Sequence, residues 1–261
     1  MSRAEEAPTA RGSGLQPAYA ATRARLGLVA VLLVLAAVGW WSTLRQMEGM
    51  GSGPWSSLGT FGWFITVWIV MMAAMMFPSV APTVALFSKM SRRPLTTALF
   101  VTGYLLTWTA AGAVAFLVGL LGHALVGDVA WDGAGRFLTG ATLLVAAVYE
   151  LTPLKHVCLR KCRSPLGLLL GSWRDGWLGA LRMGTRNGAW CVGCCWALMA
   201  SLFALGFMSP LWMALVAALI AIEKILPWRR VATYGVTVVL VLLGVLVLVS
   251  PDVLAELTMP M

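Results

Sequence analysis

The chain has 261 residues, of which 60% are hydrophobic and 11% charged, and its formal net charge is +9. Soluble domains have about 25% charged residues and about 45–50% apolar residues, so this composition excludes an ordinary soluble domain. Apolar runs of about 20 residues, which is the length that crosses a bilayer as a helix, recur along the chain. The sequence therefore predicts an all-α fold, a polytopic transmembrane helix bundle.

Seven predicted spans follow a polar N-terminal segment. Residues 1–25 are rich in Ala, Gly and Pro, which predicts a disordered tail. A single transmembrane helical domain is predicted over 26–250, with one long connection at 154–187, and residues 251–261 form a short tail. The predicted spans are 26–44, 59–80, 95–121, 137–152, 188–208, 211–225 and 231–249.

The basic residues orient this bundle. With the N-terminus in the cytoplasm, all of the 19 Lys and Arg residues except Arg45 and Arg136 lie in cytoplasmic segments. This asymmetry is the one that the positive-inside rule describes. It places the 154–187 connection in the cytoplasm and the C-terminal tail outside. Because the basic residues lie in short connections between apolar spans, they indicate a lipid bilayer as partner and no nucleic acid.

Five cysteines are expected on the cytoplasmic side of the membrane. Cys191, Cys194 and Cys195 share one helix face near the start of the fifth span, because positions i, i+3 and i+4 of a helix are neighbours. Cys158 and Cys162 precede them in the cytoplasmic loop. Disulfides are rare in the cytoplasm, so five thiols there indicate metal ligands or redox groups.

Methionines add thioether sulfur to the same side. The second span contains two overlapping Met-x-x-x-Met pairs, and Met75 and Met76 are predicted secondary ligands together with Met199, one turn beyond the cysteine triplet. Thiolate and thioether ligands favour copper(I). The cysteine spacing also fits a four-thiolate zinc site, which is the alternative metal.

Two glutamates lie inside predicted spans, where an ionisable group costs several kcal/mol unless it is paired. Glu150 ends the fourth span and Glu223 ends the sixth, both toward the cytoplasm. We expect these two and His156 of the loop to be ionisable partners of the metal site. The expected counter-charges of the glutamates are Arg182, Arg186 and Lys224.

Three functions remain open on these grounds. The first is handling or delivery of a soft metal, copper(I) in particular, with a membrane protein or a metalloenzyme as partner. The second is a non-catalytic membrane subunit with a structural zinc site. The third is a membrane thiol–disulfide oxidoreductase, because Cys191-Val-Gly-Cys194 at a helix N-terminus is a motif that lowers a thiol pKa. No phosphate-binding loop or hydrolase triad is predicted, so no catalytic residues are assigned.

Four motifs together resemble a bacterial family of uncharacterised, predicted metal-binding integral membrane proteins. They are MMAAMMFPSVAP (71–82), YELTPLKHVCLRKCRSP (149–165), GTRNGAWCVGCCWALM (184–199) and IEKILP (222–227). The resemblance covers about sixty per cent of the chain, from 71 to 227. It implies a bound metal and a multi-pass location in the bacterial cytoplasmic (inner) membrane.

Overall fold

The computed structural model describes residues 15–47, 60–91, 93–126, 135–171, 173–206, 209–226 and 228–249. Within these ranges the regular structure is helical and no strand is present, which confirms the all-α fold. The helices are α1 (Leu15–Met47), α2 (Phe61–Ser91), α3 (Pro94–Val126), α4 (Arg136–Glu150), α5 (Pro153–Cys162), α6 (Pro165–Leu170), α7 (Gly176–Leu205), α8 (Pro210–Ile225) and α9 (Arg229–Val249).

Each of the seven predicted spans coincides with a helix, namely α1, α2, α3, α4, α7, α8 and α9. In the described part of the chain, five of them (α1, α2, α3, α7 and α9) are long and apolar enough to cross a membrane. Helices α4 and α5 meet at a bend of 70° and together form a sixth candidate, as a broken span or a re-entrant loop. Helix α8 has 16 residues, fewer than the roughly 20 of a full crossing.

Two helices begin earlier than the apolar runs that predict them. Helix α1 begins at Leu15, inside the segment 1–25 that is predicted to be a disordered tail, whereas residues 1–14 lie outside the described ranges. Helix α7 begins at Gly176, twelve positions before the predicted span. Its first turns include Arg182 and Arg186, and both side chains are exposed. Charged side chains on an outer helix face reach water, so the helix extends through them beyond the apolar run. The predicted C-terminal tail, 251–261, also lies outside the described residues.

Helices α2 and α7 form the centre of the bundle. Helix α7 packs along α3 and also contacts α4, α5 and α8, while α2 packs against α1 and α3. Glycines allow the close approach of α3 and α7: a Cβ on Gly184 would overlap the Phe100 carbonyl oxygen, and one on Gly103 would overlap the Leu181 carbonyl oxygen. Small residues at such contacts let helix backbones pack tightly in a membrane.

The bend between α4 and α5 has a local sequence cause. Thr152 has an extended backbone (φ −74°, ψ 148°), because the ring of the following proline clashes with a helical conformation of the residue before it. Pro153 then opens α5, where its missing N–H costs no helical hydrogen bond. The Thr152 hydroxyl accepts a hydrogen bond from the Lys155 amide at 3.3 Å, which caps the new helix. The bend directs α5 back against α7.

Candidate metal centre

Three thiols from two helices meet inside the bundle. Cys162 ends α5, and Cys191 and Cys194 lie on α7; their Sγ atoms are all within 4.8 Å of one another. Cys191 and Cys194 are buried, and Cys162 is half-buried. All five cysteines of the chain are free thiols. The packing of α5 on α7 therefore brings one loop cysteine to two cysteines of the triplet.

The spacing of these sulfur atoms fits a single ion. Metal–thiolate bonds of about 2.3 Å place two sulfurs up to about 4.6 Å apart across a metal, and about 4.0 Å apart in a trigonal site. The separations between the Cys162, Cys191 and Cys194 sulfurs need at most a slight closure to reach this range. The chemistry of the donors, three thiols and a nearby thioether, is that of a soft metal site.

The thioether is that of Met76 in α2. Its Sδ lies 4.0 Å from Cys191 Sγ, which makes Met76 the methionine of the predicted set that meets the thiols. A small cavity of about 10 Å³, roughly one water molecule, lies beside Cys162 and Cys191. Polar side chains also line this cavity, and the buried Nδ2 of Asn187 there has no hydrogen-bond partner among the described residues.

A positive charge lies among the sulfur atoms. The Lys224 ammonium, from α8, is 3.2 Å from Cys191 Sγ and 3.6 Å from Met76 Sδ, and it donates a hydrogen bond to Ser79 Oγ at 3.1 Å. Lys224 is one of the predicted counter-charges of the glutamates, and this prediction is wrong. The ammonium instead contacts Cys191 Sγ, where it is placed to balance the charge of a thiolate.

Sequence reasoning missed Tyr104 of α3, whose hydroxyl lies 3.1 Å from Cys191 Sγ. Tyr104 is fully buried, and a buried hydroxyl needs a hydrogen-bond partner. The contact with Cys191 Sγ supplies that partner. A single tyrosine in an apolar run gives no sequence signal for such a role.

The other predicted ligands lie around this group. Cys195 Sγ donates to the Cys191 carbonyl oxygen at 2.8 Å. Cys158 packs against α7 on the side of Gly193, where an added Cβ would lie 2.8 Å from its sulfur. Met75 and Met199 are buried, and His156 is exposed on α5. The structure brings none of these five into the group of three thiols, and their role as ligands or partners stays a prediction.

The two glutamates share one buried partner, Lys155 of α5. Its ammonium lies 2.7 Å from an oxygen of Glu150 and 2.7 Å from an oxygen of Glu223. The expectation that Arg182 or Arg186 would be the counter-charge is wrong, because both are exposed. The bend before Pro153 turns the first turn of α5 inward, and this gives Lys155 access to both carboxylates.

These features define a class of protein: a helical bundle with several candidate membrane spans and a cluster of three thiols suited to a soft metal. This cluster, the thiol group, consists of Cys162, Cys191 and Cys194. The chain belongs to the family described as PpoB2, copper chaperone, whose model matches residues 65–247. The match covers more than two thirds of the chain and all four motifs, and it confirms the resemblance to a metal-binding family. No curated protein and no solved structure matches the chain. Family and thiol group together support a role in copper handling.

Proposed function

We propose that this chain is an inner-membrane protein that binds copper(I) through Cys162, Cys191 and Cys194 and delivers it to a partner metalloenzyme. The observation that carries this proposal is the meeting of the three Sγ atoms within 4.8 Å, across two helices that are separate in sequence. The family description as a copper chaperone supports delivery as the role.

Copper(I) fits the donor set better than zinc does. Structural zinc takes four ligands in a closed tetrahedron, commonly thiolates and imidazoles. Here a thioether sulfur, Met76 Sδ, lies 4.0 Å from Cys191 Sγ, and the only histidine with a described side chain, His156, is exposed. Thioether sulfur is a ligand that copper(I) accepts readily.

Delivery fits the packing better than permeation does. A metal that crossed the whole bundle would need polar or sulfur ligands beyond the methionines of α2. The N-terminal half of α2 is instead filled by aromatic rings: Phe64 lies 5.3 Å from Phe116, and Trp68 lies 5.6 Å from Phe203, centroid to centroid. These packed rings give that side of the described bundle an apolar filling and no thiolate or thioether ligand for copper(I).

The decisive test is an anaerobic copper(I) titration of the full chain in detergent against a competing chromophoric chelator. We expect one copper(I) per chain, and loss of tight binding in Cys162→Ser, Cys191→Ser and Cys194→Ser. Cys158→Ser compares the other cysteine of α5: copper binding that is retained there limits the site to the three thiols, and binding that is lost adds Cys158 to it. Retention of copper by all three variants would refute the proposed site.

Metal analysis and thiol titration of the purified protein separate the alternatives. Stoichiometric zinc in the purified protein, with unfolding when Cys191 or Cys194 is replaced, would favour the structural zinc subunit. Absence of any metal, with a reversible Cys191–Cys194 disulfide, would favour the oxidoreductase. Adding Cys195→Ser, Met75→Leu and Met199→Leu to the series tests the larger ligand set that the sequence predicts.

A further inference from the structure

A second charged group lies in the interior and has no part in the thiol site. It consists of Glu150 at the end of α4, Lys155 in the first turn of α5 and Glu223 near the end of α8. Their exposed fractions are 0%, 0% and 2%. The Lys155 ammonium donates to Glu150 Oε1 and to Glu223 Oε2, both at 2.7 Å.

The charges of this group do not balance. One ammonium faces two carboxylates, so the fully ionised group has one unit of excess negative charge in a buried environment, which is strongly unfavourable. The hydrogen bonds do not balance either. Glu223 Oε1 is buried and accepts no hydrogen bond from any described residue, whereas both oxygens of Glu150 lie 2.7 Å from the ammonium.

Neighbouring charged and titratable groups are engaged elsewhere. The Lys224 ammonium, next to Glu223 on α8, contacts Cys191 and Ser79. The Tyr149 hydroxyl, next to Glu150 on α4, donates to the Gly193 carbonyl oxygen at 2.5 Å. The Cys158 thiol of α5 interacts with the Lys155 charge, but it is a weak donor. The two carboxyls therefore face each other across one ammonium nitrogen, which each of them contacts at 2.7 Å.

We propose that Glu150, Lys155 and Glu223 form a proton-binding site that holds one proton between the two carboxyl groups. A proton makes the group electrically neutral. It also turns one carboxyl into an O–H donor toward the other, so that Glu223 Oε1 gains a partner. Two carboxylates in contact share a proton for the same reason in the catalytic pair of aspartic proteases. This site does not depend on the proposed copper site, since it needs no metal.

Infrared spectroscopy of the metal-free full chain in detergent tests the proposal at neutral pH. Exposed carboxyls are ionised there, so a protonated carboxyl band reports a buried acid. We expect one protonated carboxyl per chain in the wild type. Glu150→Gln and Glu223→Gln should each abolish the band, because the single remaining carboxylate is neutralised by Lys155. Asp175→Asn, which changes an exposed carboxylate at the start of α7, is the matched control and should retain it.

Two outcomes overturn the proposal: no protonated carboxyl in the wild type, or a band that survives in both glutamine variants. If either single variant fails to fold, the neutral triple variant Glu150→Gln/Lys155→Met/Glu223→Gln replaces it, because it removes all three charges together. Loss of the band in a folded triple variant supports the site, and persistence of the band refutes it. Copper stoichiometry is measured separately, so failure of this proposal is distinguishable from failure of the copper site.

Discussion

At the scale of single residues, Lys224 places a positive charge in contact with the thiol group. Three thiolates with one copper(I) have two units of negative charge, and the Lys224 ammonium 3.2 Å from Cys191 Sγ removes one of them. A hydrogen bond to a charged group contributes about 1.5–3 kcal/mol. Lys224 is therefore a counter-charge that makes the metal-bound form less costly to bury.

We predict that Lys224→Met weakens copper(I) binding by roughly ten- to hundredfold, which is the affinity equivalent of that hydrogen bond. Lys224→Arg keeps the charge and should retain most of the affinity. Lys89→Met removes an exposed lysine of α2 and is the control for net charge. Copper affinity that is unchanged in Lys224→Met would show that the ammonium does not support metal binding.

Lys155 gives a second prediction at this scale. Removing one partner of a buried ion group leaves the other charges uncompensated, at a cost of about 3–5 kcal/mol. We expect Lys155→Met to lower the thermal stability of the detergent-purified protein accordingly, as measured by circular dichroism. Lys161→Met on the same helix changes an exposed lysine and should leave stability nearly unchanged. Equal effects of the two substitutions would contradict the buried role of Lys155.

At the scale of helices, the geometry of the site depends on two contacts of α7. The first is the approach of α3 through Gly103 and Gly184, which places Tyr104 against Cys191. The second is the packing of α5, whose direction is set by the bend before Pro153 and which delivers Cys162. The thiol group is thus assembled by helix packing between segments that are distant in sequence.

A substitution at the first contact tests this dependence. Gly184→Ala places a Cβ against the Phe100 backbone, and overpacking of this kind costs about 1–3 kcal/mol. We expect a lower unfolding temperature together with weaker copper binding, because α3 must move away from α7. Gly235→Ala is the matched control, since a Cβ there meets nothing within 4 Å. Wild-type stability in Gly184→Ala would contradict the close approach of the two helices.

The sequence predicted the helices well and the site in part, for reasons that differ by residue. Apolar runs mark α1, α2, α3 and α9 because lipid imposes length and hydropathy on each span separately. Helical spacing aligned Cys191 with Cys194, and the charge asymmetry placed Cys162 on their side. Which lysine enters the interior was not predictable: Lys155 differs from Arg160 and Lys161 only in lying just after a bend, and the direction of that bend depends on packing against α7.

At the scale of the whole molecule, the described helices and the distribution of basic residues together define an orientation to test. The positive-inside rule places the α5 region in the cytoplasm and the start of α2 outside. Both regions have exposed positions, His156 on α5 and Phe61 at the start of α2. These two positions can therefore report the orientation directly.

We predict opposite labelling of these positions in a variant that lacks the five native cysteines. In intact spheroplasts, a membrane-impermeant maleimide should label Phe61→Cys and should not label His156→Cys. Inverted membrane vesicles should give the reverse result. Labelling of His156→Cys in intact spheroplasts would overturn the cytoplasmic placement of the thiol group, while leaving its ligand geometry intact.

Glu223 and Lys224 are consecutive residues of α8, and they project about 100° apart around its axis. Glu223 contacts Lys155, and Lys224 contacts Cys191. These two contacts on different faces of α8 fix the rotation of the helix about its own axis. Inserting or deleting one residue upstream in α8 would turn both side chains away from their partners at once. The register of α8 consequently decides whether an ammonium lies beside the three sulfur atoms at all.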